Sequence, residues 1–543
     1  MTRLESYTVS LRSVQYILIG GIFLYAVGII VTYSRLMEFE SNVSTTRSTK
    51  SDGDKPLPYP GRRQGSGRGR VQCDEDISRL VSYWSDPRSD FDRAFRSPFS
   101  VSPSALKNSP ERRRYLSFEP DRGGWNNIRM EFEIMVVLAA ATGRTLVMPP
   151  DNPIYLLHRD KRNRLRGLQK FFNVFDDVVD TISMADFFRM EALEKKSYPL
   201  PTDEKNRTIL MKSVQSCLWT EQSNSSCLFL NNYLAQVADF VPDWHGEHHC
   251  LIMDDENWLR DASEGGDENE IQQQQTKQFC AKRTPVYYNK VMHDAPLIHF
   301  RSHTKDARLL VHFYTFIHFT KPEIGNYYKR LIRDRVRYSD EIFCAAGKIV
   351  KSLTNESFTS YSNGAGGDAG YFSMHIRRGS LILITIGDFQ WPKMRISADQ
   401  WHENTRSWLE PDAGRLLYIA TDETNRTFFG PLMEHYKVRF LDDYSELAGL
   451  SDLDPNFVGM IDQVVASRGR VFVGTYFSSF SAYIGRMRGY HGLSGKRMFY
   501  SHPKYWNETQ NWVYPHPAYA SREYPTGWVG IDKDDEPSEK DFY

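Results

Sequence analysis

The sequence predicts an α/β protein built on a parallel sheet covered on both faces, carried behind an N-terminal transmembrane helix. Three observations predict it. From Tyr371 onward, strand-like and helix-like patterns alternate, which is the signature of parallel strands joined by helical crossovers. Residues 13–34 hold no charged side chain and include the apolar stretch VQYILIGGIFLYAVGIIVTY, and about 20 such residues span a bilayer as a helix. The polar clusters fall where the expected strands end, which is where parallel sheets bind ligands.

Each element follows in chain order. Residues 1–12 form a short tail, with Arg3 and Arg12 ahead of the apolar span; that bias places the tail in the cytoplasm and the rest of the chain in a lumen. A luminal location also suits the N-x-[ST] sequons at Asn42, Asn206, Asn224, Asn355, Asn425 and Asn507. The 6 cysteines all follow the span, and an even number suits an oxidising compartment. Their pairing stays open, although Cys217 and Cys227 are close enough in sequence to bridge easily. Asn206, Asn224, Asn355 and Asn507 are the glycosylation candidates; Asn42 is close to the membrane and Asn425 to the expected site.

Residues 35–72 are rich in Ser, Thr, Gly, Arg and Lys and read as a flexible stem. Residues 73–116 lead into the folded part. That part opens with GGWNNIRMEFEIMVVLAAATGRTLVMPP: a glycine turn, a helix from Asn127 to about Thr142 stopped by Gly143, then a strand Thr145–Met148. Residues 151–345 show no clear period. Within them, SEGGDENEIQQQQTKQ (263–278) reads as a polar low-complexity loop, and HGEHHC (245–250) as a polar loop. Then come a strand YFSMHI, a helix SADQWHENTRSWL with Ser397 and Gln400 as a capping box, a strand LLYIATD, a helix ETNRTFFGPLMEHY and a strand KVRFL. NFVGMIDQVVASRG (helix), RVFVGT (strand) and FSSFSAYIGRMRGY (helix) complete the series.

The chain of 543 residues carries 68 basic and 68 acidic residues, a balance that gives no support for nucleic acid as a partner. HIRRG at 375–379 follows a strand. Arginine is always charged, and its planar fork matches a phosphate, so Arg377 and Arg378 beside His375 suggest an anion site; an arginine there would otherwise pair with a carboxylate. Asp422 ends the next strand, either as an acceptor for a base or sugar or as a helix N-cap. Ser478 and Ser479 stand at a helix start, where free N–H groups favour phosphate, though serine also caps helices without any ligand. Together these describe a nucleotide-diphosphate site, without a Walker A sequence and without G-x-G-x-x-G after a strand. Asp254-Asp255 and Asp442-Asp443 are the acidic pairs that a metal-dependent transferase would need; no metal site is assigned to them.

The order GGWNNIRMEFE, HIRRG, YIATDE, FLDDY and GMIDQVVASRGRVFVGTYFSSFSAYIGRMRGY resembles the GDP-fucose protein O-fucosyltransferase family, most closely its plant, algal and protist branch, within a superfamily that includes α1,6-fucosyltransferases. The likeness runs over roughly 117–500. It implies two Rossmann-like domains of the GT-B glycosyltransferase type: residues 117–345 on the acceptor side and 346–500 on the GDP-fucose side, with 501–543 packing back as a tail. It also implies inverting transfer of fucose from GDP-fucose to a protein or glycan hydroxyl, with no metal and no cofactor, in a single-pass type II protein of the Golgi or ER. The other expectations are transfer of another sugar from another nucleotide, or an inactive membrane-tethered binding module of this fold.

By the resemblance, Arg377 holds the β-phosphate and stabilises departing GDP, and Asn126 lies near the fucose and acceptor. His375, Arg378, Asp422, Asp462, Ser478, Ser479 and Phe480 hold the donor. Two departures stand out. The family branch with a glutamate base carries it where this chain has Gly123, leaving Glu119, Asp121 and Glu131 as nearby candidates or else catalysis led by leaving-group departure. The run SLILITIG (380–387) separates HIRRG from DFQW; removing it restores the family pattern H-x-R-R-G-D-F and returns Asp388 to its place.

Overall fold

The computed structural model describes residues 73–532, apart from 85–89, 101–112, 122, 153–167, 169–170, 173–178, 219–224, 260–269, 303–307, 362–369, 379–395, 410–414, 477, 502–508, 511–522 and 529. The expected membrane span, the stem, Asn42, Asn224, Asn507 and the 380–388 segment lie outside the described residues. Among the described residues no helix is long and apolar enough to cross a membrane.

The strands are β1 (Tyr115–Phe118), β2 (Thr145–Met148), β3 (Thr181–Ser183), β4 (His249–Met253), β5 (Thr284–Tyr287), β6 (Leu297–Phe300) and β7 (Ile317–Phe319), followed by β8 (Phe372–Ile376), β9 (Arg415–Thr421), β10 (Tyr436–Arg439), β11 (Phe472–Thr475), β12 (Met498–Ser501) and β13 (Thr509–Gln510). They form three sheets, ordered β3-β2-β1-β6, β5-β4-β7 and β10-β9-β8-β11-β12-β13. Every pairing is parallel except β12 with β13. In the first and third sheets the earliest strand, β1 or β8, is interior, and later strands are added on both sides of it. Each therefore has a topological switch point, between β1 and β6 and between β8 and β11, and such crevices are where open α/β sheets take ligands.

Alternation along the third sheet covers both faces. Phe372, Met374, Ile376, Leu417, Ile419 and Val473 pack into one apolar cluster with Trp401 and Leu409. Leu416, Tyr418, Ala420 and Phe472 face a larger cluster that also contains Trp125, Phe172, Tyr338 and Tyr483. That larger cluster runs through both halves, so they share a core. Among these apolar groups sit buried charges: Arg486 pairs with Glu133 and Glu523, and Arg129 also pairs with Glu133. Such pairing offsets the cost of burying these charges.

The helix expected from Asn127 begins two residues earlier, at Trp125, and ends at Thr142. Gly143 closes it in the left-handed conformation, φ 64°, which glycine adopts without a Cβ penalty. Two expectations are corrected. Of the stretch read as a loop, residues 270–278 belong to a helix, Glu270–Cys280; the glutamine run is compatible with helix, and Cys280 is bonded to Cys250 at the edge of β4. ETNRTFFGPLMEHY is not one helix but a 3₁₀ turn, Arg426–Phe429, and a single α-turn, Gly430–Met433, because Pro431 tolerates only a first-turn position. Cys217 is bonded to Cys227. Cys73 and Cys344 hydrogen-bond each other, and burial pushes both thiols up.

Candidate active site

The β8–β11 switch point gathers the C-terminal candidates. At their carboxyl ends the two strands part, and the Thr475 hydroxyl spans the gap: it donates to the His375 carbonyl (2.8 Å) and accepts from the Arg377 N–H (3.1 Å). Arg377 thereby leaves β8 at a fixed angle. Its guanidinium forms no ion pair among the described residues, and its Nε is buried without a hydrogen-bond partner. A half-buried guanidinium that meets no carboxylate among the described residues offers its charge to an anion. Ser478 is the N-cap of the helix Ser479–Tyr490 but makes no side-chain capping bond, and its Oγ is also buried without a partner. A guanidinium, an idle hydroxyl and a helix N-terminus suit one polyanion.

His375 takes a supporting place. Its ring stacks on Phe480 with centroids 4.3 Å apart. Its Nδ1 lies 2.6 Å from Ser481 Oγ. Ser481 Oγ also accepts the Thr475 N–H (2.9 Å), so it ties the His375 ring to the end of β11. Burial, with Arg377 adding to it against Asp422, pushes the imidazole down to about 3. His375 is therefore neutral throughout the physiological range. Gly474 allows this packing: a Cβ there would lie 2.7 Å from the Ser481 Cβ.

The other donor candidates are more committed than their sequence context suggests. Asp422 accepts the Arg378 N–H on Oδ1 (2.7 Å); it pins the loop after β8 and is not the cap of the following helical turn, a place taken by Asn425. The Arg378 side chain turns away, its guanidinium 3.6 Å above the Phe428 ring and 3.7 Å from Glu423. Asp462 is buried and accepts from the Tyr418 hydroxyl (2.5 Å). Burial pushes its carboxyl up to about 7, against that hydrogen bond, so near neutrality it is a half-protonated group with one oxygen already engaged.

The glycine-rich first loop meets this site from the other half. Ser479 Oγ donates to Asn127 Oδ1 (2.9 Å), and Asn126 Oδ1 accepts from Gln463 Nε2 (3.1 Å). Arg377, His375, Ser478, Ser479, Phe480 and Asn126 thus belong to one connected cluster. A side chain at position 123 requires its neighbours to move: a Cβ there would lie 2.3 Å from Asn127 Nδ2 and 2.6 Å from Asp121 Oδ1. None of the candidate bases nearby is at liberty. Asp121 is held by both Arg308 nitrogens (2.6 and 2.9 Å) and accepts the Gly123 N–H. Glu119 is fully buried beside His299 and Arg301. Burial, with Asp121 beside it, pushes the Glu131 carboxyl well up, which favours its acid form.

The acidic pairs are also spoken for. Asp254 accepts from Asn257 (2.7 Å), Asp255 pairs with Lys321, Asp442 with Arg426, and Asp443 accepts the Phe440 N–H. Sequence reasoning missed Thr475, Ser481 and Gln463. The first two stand inside GTYFSSFS and could have been found from their register at the strand end and first helical turn; Gln463 lies in an apolar helix with no local signal.

The sequence profile described as GDP-fucose protein O-fucosyltransferase matches residues 115–491. A search of curated proteins returns no match. Among solved structures, POFUT1 in complex with GDP-fucose is 12% identical, with 72% of this chain and 98% of that one covered and a TM-score of 0.34. A mutant of FUT1 from Arabidopsis thaliana in complex with GDP is 10% identical (79% and 76% covered, TM-score 0.32). NodZ α1,6-fucosyltransferase soaked with GDP-fucose is 13% identical (69% and 92% covered, TM-score 0.31).

Proposed function

Because this chain belongs to the GDP-fucose protein O-fucosyltransferase family, we propose that it transfers fucose from GDP-fucose to a hydroxyl of a protein or glycan in the secretory pathway. The observation that carries the reading is Arg377: a guanidinium with a buried, unpartnered Nε at the switch point, beside the idle hydroxyl of Ser478. In this reading both groups take the diphosphate. As the bond from the anomeric carbon to the β-phosphate oxygen breaks, negative charge grows on GDP, and a preorganised cation there lowers the barrier. The acceptor hydroxyl attacks the opposite face, inverting the anomeric centre, and no metal or cofactor is required. The commitment of Asp121, Glu119 and Glu131 supports catalysis led by leaving-group departure over a strong carboxylate base. The GT-B arrangement, with the donor on the β8–β11 side and the acceptor on the β1–β6 side, fits the two switch points.

A type II anchor at residues 13–34 in the Golgi or ER suits the two disulfides and the exposed sequons at Asn206 and Asn355. The test is GDP and GDP-fucose binding by the full chain in detergent, then release of GDP with an acceptor screen. Binding followed by transfer supports the reading. Failure to bind either nucleotide overturns it, and binding without turnover replaces it with a tethered binding module.

A further inference from the structure

We propose that Gln463 is the positioning residue that orients the Asn126 carboxamide so that its Nδ2 donates to an oxygen of the bound nucleotide-sugar; the proposal rests on the fucosyl-transfer reading above. Gln463 lies on the helix Val458–Ser467 and is fully buried. Asn126 lies in the first turn of the helix Trp125–Thr142 in the other half. Four hydrogen bonds join them into a relay: Trp125 Nε1 to Tyr338 OH (3.3 Å), Tyr338 OH to Gln463 Oε1 (2.7 Å), Gln463 Nε2 to the Phe480 carbonyl (3.1 Å), and Gln463 Nε2 to Asn126 Oδ1 (3.1 Å).

The two ends of the relay set its direction. An indole N–H only donates, and a peptide carbonyl only accepts. The tyrosine oxygen therefore accepts from Trp125 and gives its proton to Gln463. The amide nitrogen of Gln463 must face the Phe480 carbonyl, so it is also a donor towards Asn126. The oxygen of Asn126 must then face Gln463, and the Asn126 amide cannot flip without placing N–H against N–H. Its Nδ2 makes no hydrogen bond among the described residues and is left as a donor with a fixed place. Phe480, whose carbonyl anchors the relay, stacks on His375 two residues from Arg377, so the relay couples the first loop to the diphosphate turn.

The experiment compares the full-length wild type with Gln463→Glu, Gln463→Met, Asn126→Asp and the Gln463→Glu/Asn126→Asp double variant, reading Kd for GDP and GDP-fucose, kcat and KM, and melting temperature. Gln463→Glu keeps the shape but turns the donor into an acceptor; Gln463→Met removes the relay without opposing charge. We expect GDP binding within about threefold of wild type, with kcat or GDP-fucose preference reduced roughly 10- to 100-fold in both Gln463 variants. The double variant falls no further than Asn126→Asp alone, because the two residues act as one unit. Additive losses, or both Gln463 variants keeping wild-type kcat and donor preference with only a lower melting temperature, overturn the proposal. Wild type that binds neither nucleotide overturns the fucosyl-transfer reading itself, and the proposal with it.

Discussion

The two switch points are built alike and charged differently. At the β1–β6 crevice, carboxylates and cations answer one another: Asp121 is clasped by Arg308, and Glu119 sits by His299 and Arg301. At the β8–β11 crevice, among the described residues, Arg377 has no carboxylate and the hydroxyl of Ser478 has no acceptor. Both crevices hold polar residues at strand ends, so residue type does not separate them. Charge pairing does: at the first the Asp121 carboxylate is closed off by a cation, while at the second a guanidinium meets no carboxylate among the described residues. Buried polar atoms without a hydrogen-bond partner occur at both, Glu131 Oε1 and His299 Nε2 at the first and Arg377 Nε and Ser478 Oγ at the second.

That contrast can be broken most forcefully at Arg377. Arg377→Ala should lower turnover roughly 10²- to 10³-fold, as removal of one preorganised oxyanion donor does, while the melting temperature stays within a degree or two of wild type. Turnover within a few-fold would show that the open charge is not used. Asp462 comes next. Its folded value of about 7 exceeds the 3.8 of an ordinary aspartate, so the native state holds a proton that the unfolded chain has released between those values. Its contribution to stability is complete below about pH 4 and is lost as pH rises through 7, by an amount on the order of a few kcal/mol. In Asp462→Asn, which retains an acceptor for Tyr418, denaturant titrations from pH 4 to 8 should lose that slope.

The closed crevice is probed by Gly123→Glu. The new side chain meets Asn127 and Asp121, so stability should fall by about 1–3 kcal/mol with no gain in rate; a faster enzyme would mean the position can still house a base. The smallest effect belongs to Ser478→Ala. Its hydroxyl makes no hydrogen bond among the described residues, so unfolding should change little, while calorimetry should show GDP binding weaker by about 1 kcal/mol.

Much of this was legible in the sequence. The strands from β8 to β11 fall where the apolar runs stand, Gly143 stops its helix, and HIRRG and FSSFS lie at strand ends because parallel crossovers put them there. The helical turn after β9 was misread because the apolar spacing of FFGPLM outweighed Pro431 in the reading, and the helix at 270–280 because polar composition hides an element anchored by a disulfide. Roles were harder to read than places. Asp462 and Asp422 look like nucleotide ligands in a motif, yet one oxygen of each is taken by Tyr418 and by the Arg378 amide.

By itself the sequence determined the α/β class, the order of strands and helices from β8 to the helix after β11, and which chemical groups stand at those strand ends, since those depend on apolar period and local turn chemistry. Only the tertiary structure decided which of those groups are spent. Asp121 meets Arg308 across 187 residues of chain, and Gln463 meets Asn126 across 337. Such pairings depend on how distant segments pack, within one half for the first and between the two halves for the second, and nothing in local spacing encodes them. Arg377 stands out as a candidate partner for a ligand because its guanidinium pairs with no carboxylate among the described residues.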